Sequence, residues 1–105
     1  MIRLVLVMMI LALPAMADFM ALTTDFSSTG GVTSIQSNAP WNADIDVTQV
    51  SGDAVSRWHD GLYYVVNRTD SNIQVIDPSD WSTVMQVSVG VGKNPQDIAF
   101  APNGT

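Results

Sequence analysis

The sequence predicts an all-β chain of antiparallel four-stranded sheets, and three observations carry that prediction. Apolar and polar residues alternate with period two in short runs bounded by Gly, Pro, Asn or Asp, the pattern of half-buried strands closed by turns. All ten acidic residues are aspartate and none is glutamate. A short aspartate carboxylate bonds to nearby backbone N–H groups and so favours turns, whereas glutamate favours helix interiors. Finally, the strand and turn landmarks recur in the same order at a fixed spacing.

Residues 1–17 read as an export signal. Arg3 supplies a positive start, Leu4 to Leu13 is an unbroken apolar run, and Pro14-Ala15-Met16-Ala17 places small residues at −3 and −1 of a cut between Ala17 and Asp18. The competing reading, a retained anchor, needs roughly 20 apolar residues to span a bilayer. No stable span is expected once the segment is removed. The absence of cysteine excludes a lipid-acylated terminus, disulfides and thiolate metal sites. The expected location is the periplasm, the cell surface or the extracellular space.

Along the mature chain, Phe19 to Thr24 reads as the end of a strand, and Val32 to Ile35 and Asp53 to Ser56 as further strands. Gly61 to Asn67 alternates and ends on a turn residue; Asn72 to Asp77 alternates again and stops at Asp77-Pro78. Ser82 to Val89 forms the next strand, closed by Gly90-Val91-Gly92. Asn94-Pro95-Gln96 then leads into a strand over Asp97-Ile98-Ala99-Phe100, and Pro102-Asn103-Gly104 makes another turn.

The spacing comes from three landmarks. Asp25 precedes Asn67 by 42 residues, Asp53 precedes Asp97 by 44, and Asp60-Gly61 precedes Asn103-Gly104 by 43. By residue type, Val32-Thr33-Ser34-Ile35 aligns with Ile73-Gln74-Val75-Ile76. A period of about 40 to 45 residues with four strands per unit is the spacing of a β-propeller blade. The chain divides accordingly into a signal peptide (1–17), a degenerate first blade (18–52), a second blade (53–96) and the start of another (97–105).

Tyr64-Val65-Val66-Asn67, Ile73-x-Val75-Ile76-Asp77, Gly90, Pro95, Asp97-Ile98 and Gly104 together resemble the YVTN-type β-propeller repeat, with Val66 where that tetrapeptide has Thr. The resemblance covers residues 61–105 well and 20–60 loosely. It implies a ring of stacked sheets. A ring takes roughly four to eight blades, so the expectation is an N-terminal fragment of a longer propeller, whose first blade is shared between the two ends of the chain. A short protein completing its ring by oligomerising is the alternative.

Candidate chemistry is sparse. His59, the single histidine, is a potential base or ligand beside Asp60, but adjacent strand residues point to opposite faces and Asp60-Gly61 is itself a hairpin turn signal. Asp44-x-Asp46 and Asp70-x-Asn72 have the oxygen chemistry of a Ca²⁺ site, yet lack the Gly and distal Glu of an EF-hand and read as loop caps. Asn67-Arg68-Thr69 fits a glycosylation sequon and also a plain turn. Trp41, Trp58 and Trp81 suit either a carbohydrate platform or the seam between blades. Arg57 and Arg68 suit either a central channel or surface charge.

No catalytic residue, metal ligand or cofactor site is assigned. Arg57, Arg68 and Lys93 against ten aspartates give no basic footprint, so no nucleic-acid partner is expected. The expected function is a non-catalytic binding or surface module for a protein, glycan or small ligand. The alternative is a propeller enzyme of the lactonase-like or quinoprotein-like sort, its active site drawn from several blades.

Overall fold

The computed structural model describes residues 18–102, so both the export signal and the turn at Asn103-Gly104 lie outside the described residues. Seven strands form among them: β1 (Phe19–Thr24), β2 (Gly30–Ile35), β3 (Ala43–Val50), β4 (Ala54–His59), β5 (Leu62–Asn67), β6 (Asn72–Asp77) and β7 (Ser82–Ser88). Every pairing is antiparallel, and the strands lie in sequence order in two sheets, β1-β2-β3 and β4-β5-β6-β7. The fold is all-β, with open sheets. The first sheet has three strands and the second has four.

Local chemistry explains the turns. Between β4 and β5, Asp60 and Gly61 both take left-handed backbone (φ 47° and 81°), which matches the right-handed twist of the strands they join. Between β6 and β7, Asp77 accepts the Ser79 N–H at 2.9 Å and Asp80 accepts the Ser82 N–H at 3.0 Å. The bonds from Ser82 hold the Asp80 carboxyl below the usual carboxylate range.

Strand alternation decides which residues face which way. Met20, Leu22, Val32 and Val50 of the first sheet meet Tyr63, Val65 and Ile76 of the second, with Ala54 and Trp81 packed at the margin. Val32, Val65 and Ile76 are fully buried. Polar bonds cross the same seam: Thr48 donates to the Trp81 carbonyl, and the Gln74 amide donates to the Gln49 carbonyl at 3.1 Å. The sheets therefore stack face to face around one core.

Strand registers refine the internal repeat. Thr24 pairs with Gly30 and Val66 with Ile73, so Val32 occupies the position of Val75. The alignment by residue type is two residues out of step there. Two further expectations change. Asp44 and Asp46 lie within β3, not in a loop, and Asp46 (φ 56°) sits in a stretch where the pairing with β2 slips. Asp97 to Phe100 is not a strand: among the described residues its backbone has no neighbouring strand to bond with.

The second strand also sets a steric test. A Cβ on Gly30 would come within 2.2 Å of the Ser51 carbonyl oxygen and 3.1 Å of the Thr23 carbonyl oxygen, both backbone. On Gly31 it would meet only the Asp46 carboxylate, a side chain free to swing away. Gly30→Ala should therefore lower the urea midpoint clearly while Gly31→Ala changes it little; equal midpoints for the two variants would contradict this packing.

Candidate functional site

Two clusters stand out, one polar and buried, the other aromatic and half exposed. The polar cluster is built on Asn67, the last residue of β5, which is 1% exposed. Its Oδ1 accepts the Ser51 N–H at 3.0 Å, and its Nδ2 donates to Asn72 Oδ1 at 2.8 Å and Gln74 Oε1 at 3.0 Å. Gln74 Nε2 in turn donates to Thr83 Oγ1 at 2.8 Å, and Gln86 Nε2 donates to Asn72 Oδ1 at 3.1 Å. Ser51 directly follows β3, so Asn67 ties the second sheet to the link that leaves the first. No buried polar side-chain atom among the described residues lacks a partner.

Asp25 holds the equivalent place in the first sheet. It accepts the N–H groups of Ser27 (2.7 Å) and Thr29 (3.1 Å) and the Thr29 hydroxyl (2.9 Å), bonds that hold its carboxyl below the usual range. Thr29 thus stands to Asp25 as Asn72 stands to Asn67. The two hubs share a location and differ in polarity: the buried one donates and accepts, the exposed one only accepts.

The burial of Asn67 leaves no room for a glycan, so the sequon is a structural turn. Arg68 is likewise structural: its Nε and guanidinium NH2 both donate to one oxygen of Asp53, and its N–H bonds the Asp53 carbonyl at 2.9 Å. Arg57 lies toward the other end of the sheet, paired with Asp97 at 2.9 Å across half-exposed surface. The two arginines do not converge. Arg57 and the Ile98 N–H hold the Asp97 carboxyl below its usual range.

His59 and Asp60 come closer than strand geometry suggested, with Nε2 and Oδ2 3.5 Å apart. The left-handed backbone at Asp60 breaks the alternation that would have separated them. The imidazole stacks on Phe100 with centroids 4.0 Å apart and planes within 9°. Phe100 also meets Tyr64 edge-on at 4.7 Å. Through these contacts and the Arg57–Asp97 pair, residues 97–100 lie along the outer face of the second sheet.

The aromatic cluster runs along the seam. Tyr63 lies between Trp58, edge-on at 4.9 Å, and Trp81, near-parallel at 6.1 Å. Burial raises the Tyr63 phenol above its ordinary value. Trp58 remains 52% exposed, leaving its ring open to solvent beside the other two. Trp41 stands apart, in the loop between β2 and β3. Sequence spacing gave no sign that Tyr63 would join two of the tryptophans; cross-strand register does, since Trp58 pairs directly with Tyr63.

No group of three or more His, Cys, Asp or Glu side chains among the described residues is arranged to hold a metal ion. An open cleft of about 570 Å³ runs past Thr23, Asp25, Thr29, Asp46 and Gln49, floored by Gly30 and Gly31. Among the described residues, no helix is long and apolar enough to cross a membrane. No protein-family model matches the chain, and neither a curated protein nor a solved structure does.

Proposed function

We propose that the chain is an exported β-propeller repeat module of the YVTN type that binds a ligand rather than transforming one. The observation that carries this reading is the recurrence of one building plan. Strands β1-β2-β3 and β5-β6-β7 follow the same order, turn at the same hub position, and stack face to face through an apolar seam. Sheets that bury one face on a neighbour and offer the other to the next are how repeat architectures grow. The chemistry left on the surface is suited to recognition: an aromatic row at the seam offers flat apolar area at little entropic cost.

Within this reading the row of Trp58, Tyr63 and Trp81 is the ligand-facing surface, and a sugar ring or other flat ligand face is what it would cover. Indole emission reports on it directly. Titration with a panel of soluble oligosaccharides should shift the emission for at least one of them, and Trp58→Ala should abolish the shift while leaving the far-ultraviolet circular dichroism unchanged. An unresponsive wild-type chain across the panel would remove the glycan assignment. Export has its own readout, since mass spectrometry of the secreted chain should find Asp18 at its N-terminus.

A further inference from the structure

Asp60 and Gly61 make up the whole connection between β4 and β5, since His59 pairs with Leu62. Both take left-handed backbone, with φ 47° and 81°. Asp60 is also the one aspartate followed by glycine; Phe, Ile, Val, Ala, Ser, Pro or Trp follows each of the others. That difference bears on a reaction open to aspartyl residues, the attack of the next backbone nitrogen on the side-chain carboxyl. A side chain on the next residue hinders the attack, a hydrogen bond occupies the nitrogen, and burial shields the carboxyl.

None of these protections is present at the turn. Gly61 has no side chain, and even a Cβ placed there would meet nothing within 4 Å. Its N–H donates to no group among the described residues. The Asp60 side chain is 89% exposed. The site also holds a proton donor. His59 Nε2 lies 3.5 Å from Asp60 Oδ2, and its ring is stacked on Phe100 at 4.0 Å. The other charged or titratable groups about the imidazole are Tyr64, edge-on at 6.2 Å, and the Arg57–Asp97 pair on the same face of β4.

We propose that Asp60 isomerises spontaneously, by way of a succinimide, to a β-linked aspartyl residue, with His59 as the proton donor. The Gly61 nitrogen bonds Cγ as the bond from Cγ to Oδ2 breaks. Oδ2 departs as water, taking one proton from the amide and one from the imidazolium, which solvent then restores. Water next adds to the main-chain carbonyl of the ring, whose bond to nitrogen breaks and leaves a free α-carboxyl. Addition at Cγ instead restores the aspartate. Nothing is oxidised or reduced, and the net mass is unchanged. Ring closure needs the turn to open, so it draws on local fluctuation of the hairpin tip. The β-linkage then adds a backbone atom to a turn built for two residues. The hairpin should fray from that tip, at the His59–Leu62 pair first and Trp58–Tyr63 next, whatever the aromatic row binds.

The test ages the full chain in neutral buffer, then treats it with protein isoaspartyl methyltransferase and radiolabelled S-adenosylmethionine. Fragmentation mass spectrometry locates the label. Label should accumulate at Asp60 and at no other aspartate. His59→Gln should slow its appearance several-fold near neutral pH and much less in mild acid, where solvent supplies the proton. Gly61→Asn, which keeps a residue tolerant of left-handed backbone, should also slow it several-fold with circular dichroism unchanged. In the isomerised fraction, amide exchange should quicken at Leu62 and Tyr63 while β6 stays protected. A chain that stays unlabelled while a free peptide of residues 57–64 is labelled would overturn the proposal, because the folded turn would then lock the site. Equal rates in the wild type and His59→Gln at neutral pH would overturn the proton transfer.

Discussion

Replacing Asn67 with Asp should unfold the chain at markedly lower urea, by roughly 2–4 kcal/mol near neutral pH. The substitution changes one atom's chemistry and almost nothing of its volume. Asn67 Nδ2 donates to two oxygens, Asn72 Oδ1 and Gln74 Oε1, and an aspartate oxygen there would face both as a third acceptor. Flipping the Gln74 amide offers no escape, since its Nε2 already serves Gln49 and Thr83. Asn72 is held in the same sense by the donor on Gln86. The buried carboxylate would be driven toward its protonated form, so its folded-state pKa lies above its unfolded one. The folded state then binds more protons, and the variant should regain stability as pH falls, opposite to the usual aspartate. Urea melts at neutral and mildly acidic pH check both parts. Asp25→Asn, at the matching hub of sheet one, should be far milder, because that side chain is exposed and one amide oxygen can still accept the Ser27 and Thr29 N–H groups.

This contrast shows what the sequence could and could not disclose. Strand positions from Gly61 to Val89 were legible because alternation, Asp60-Gly61 and Asp77-Pro78 all act within a few residues of one another. The strand over Ala43–Val50 was not, since its acids at Asp44 and Asp46 read as loop chemistry while Ile45 and Val47 stand exposed on a solvent-facing edge. The extended segment at Asp97 to Phe100 carries a strand pattern without a strand's hydrogen bonds, because local pattern cannot supply a neighbour. The landmark spacing of Asp25 and Asn67 was visible, but the burial of Asn67 was not, because it depends on Ser51, just past β3, arriving from a distant part of the chain. The aromatic row was hidden for the same reason: register, not spacing along the chain, brings Trp58, Tyr63 and Trp81 together.

Ile76→Ala should be the costliest single truncation in the core, at about 2–5 kcal/mol. Ile76 is fully buried and belongs to the cluster that joins the sheets, so its loss leaves a cavity lined by both of them. A small domain has on the order of 5–15 kcal/mol in all, so one such cavity removes a large share of it. Val32→Ala empties the same cluster from the opposite sheet and should cost less, having fewer atoms to lose. The informative measurement is the double variant. If the sheets share one core, the second truncation opens a cavity the first has already loosened, and the combined loss should fall short of the sum by roughly 0.5 kcal/mol or more. Each variant should also keep a single thermal transition. Strict additivity, or a split into two transitions, would mean that the sheets fold as independent units and that the seam through Val32, Val50, Val65 and Ile76 contributes little to holding them together.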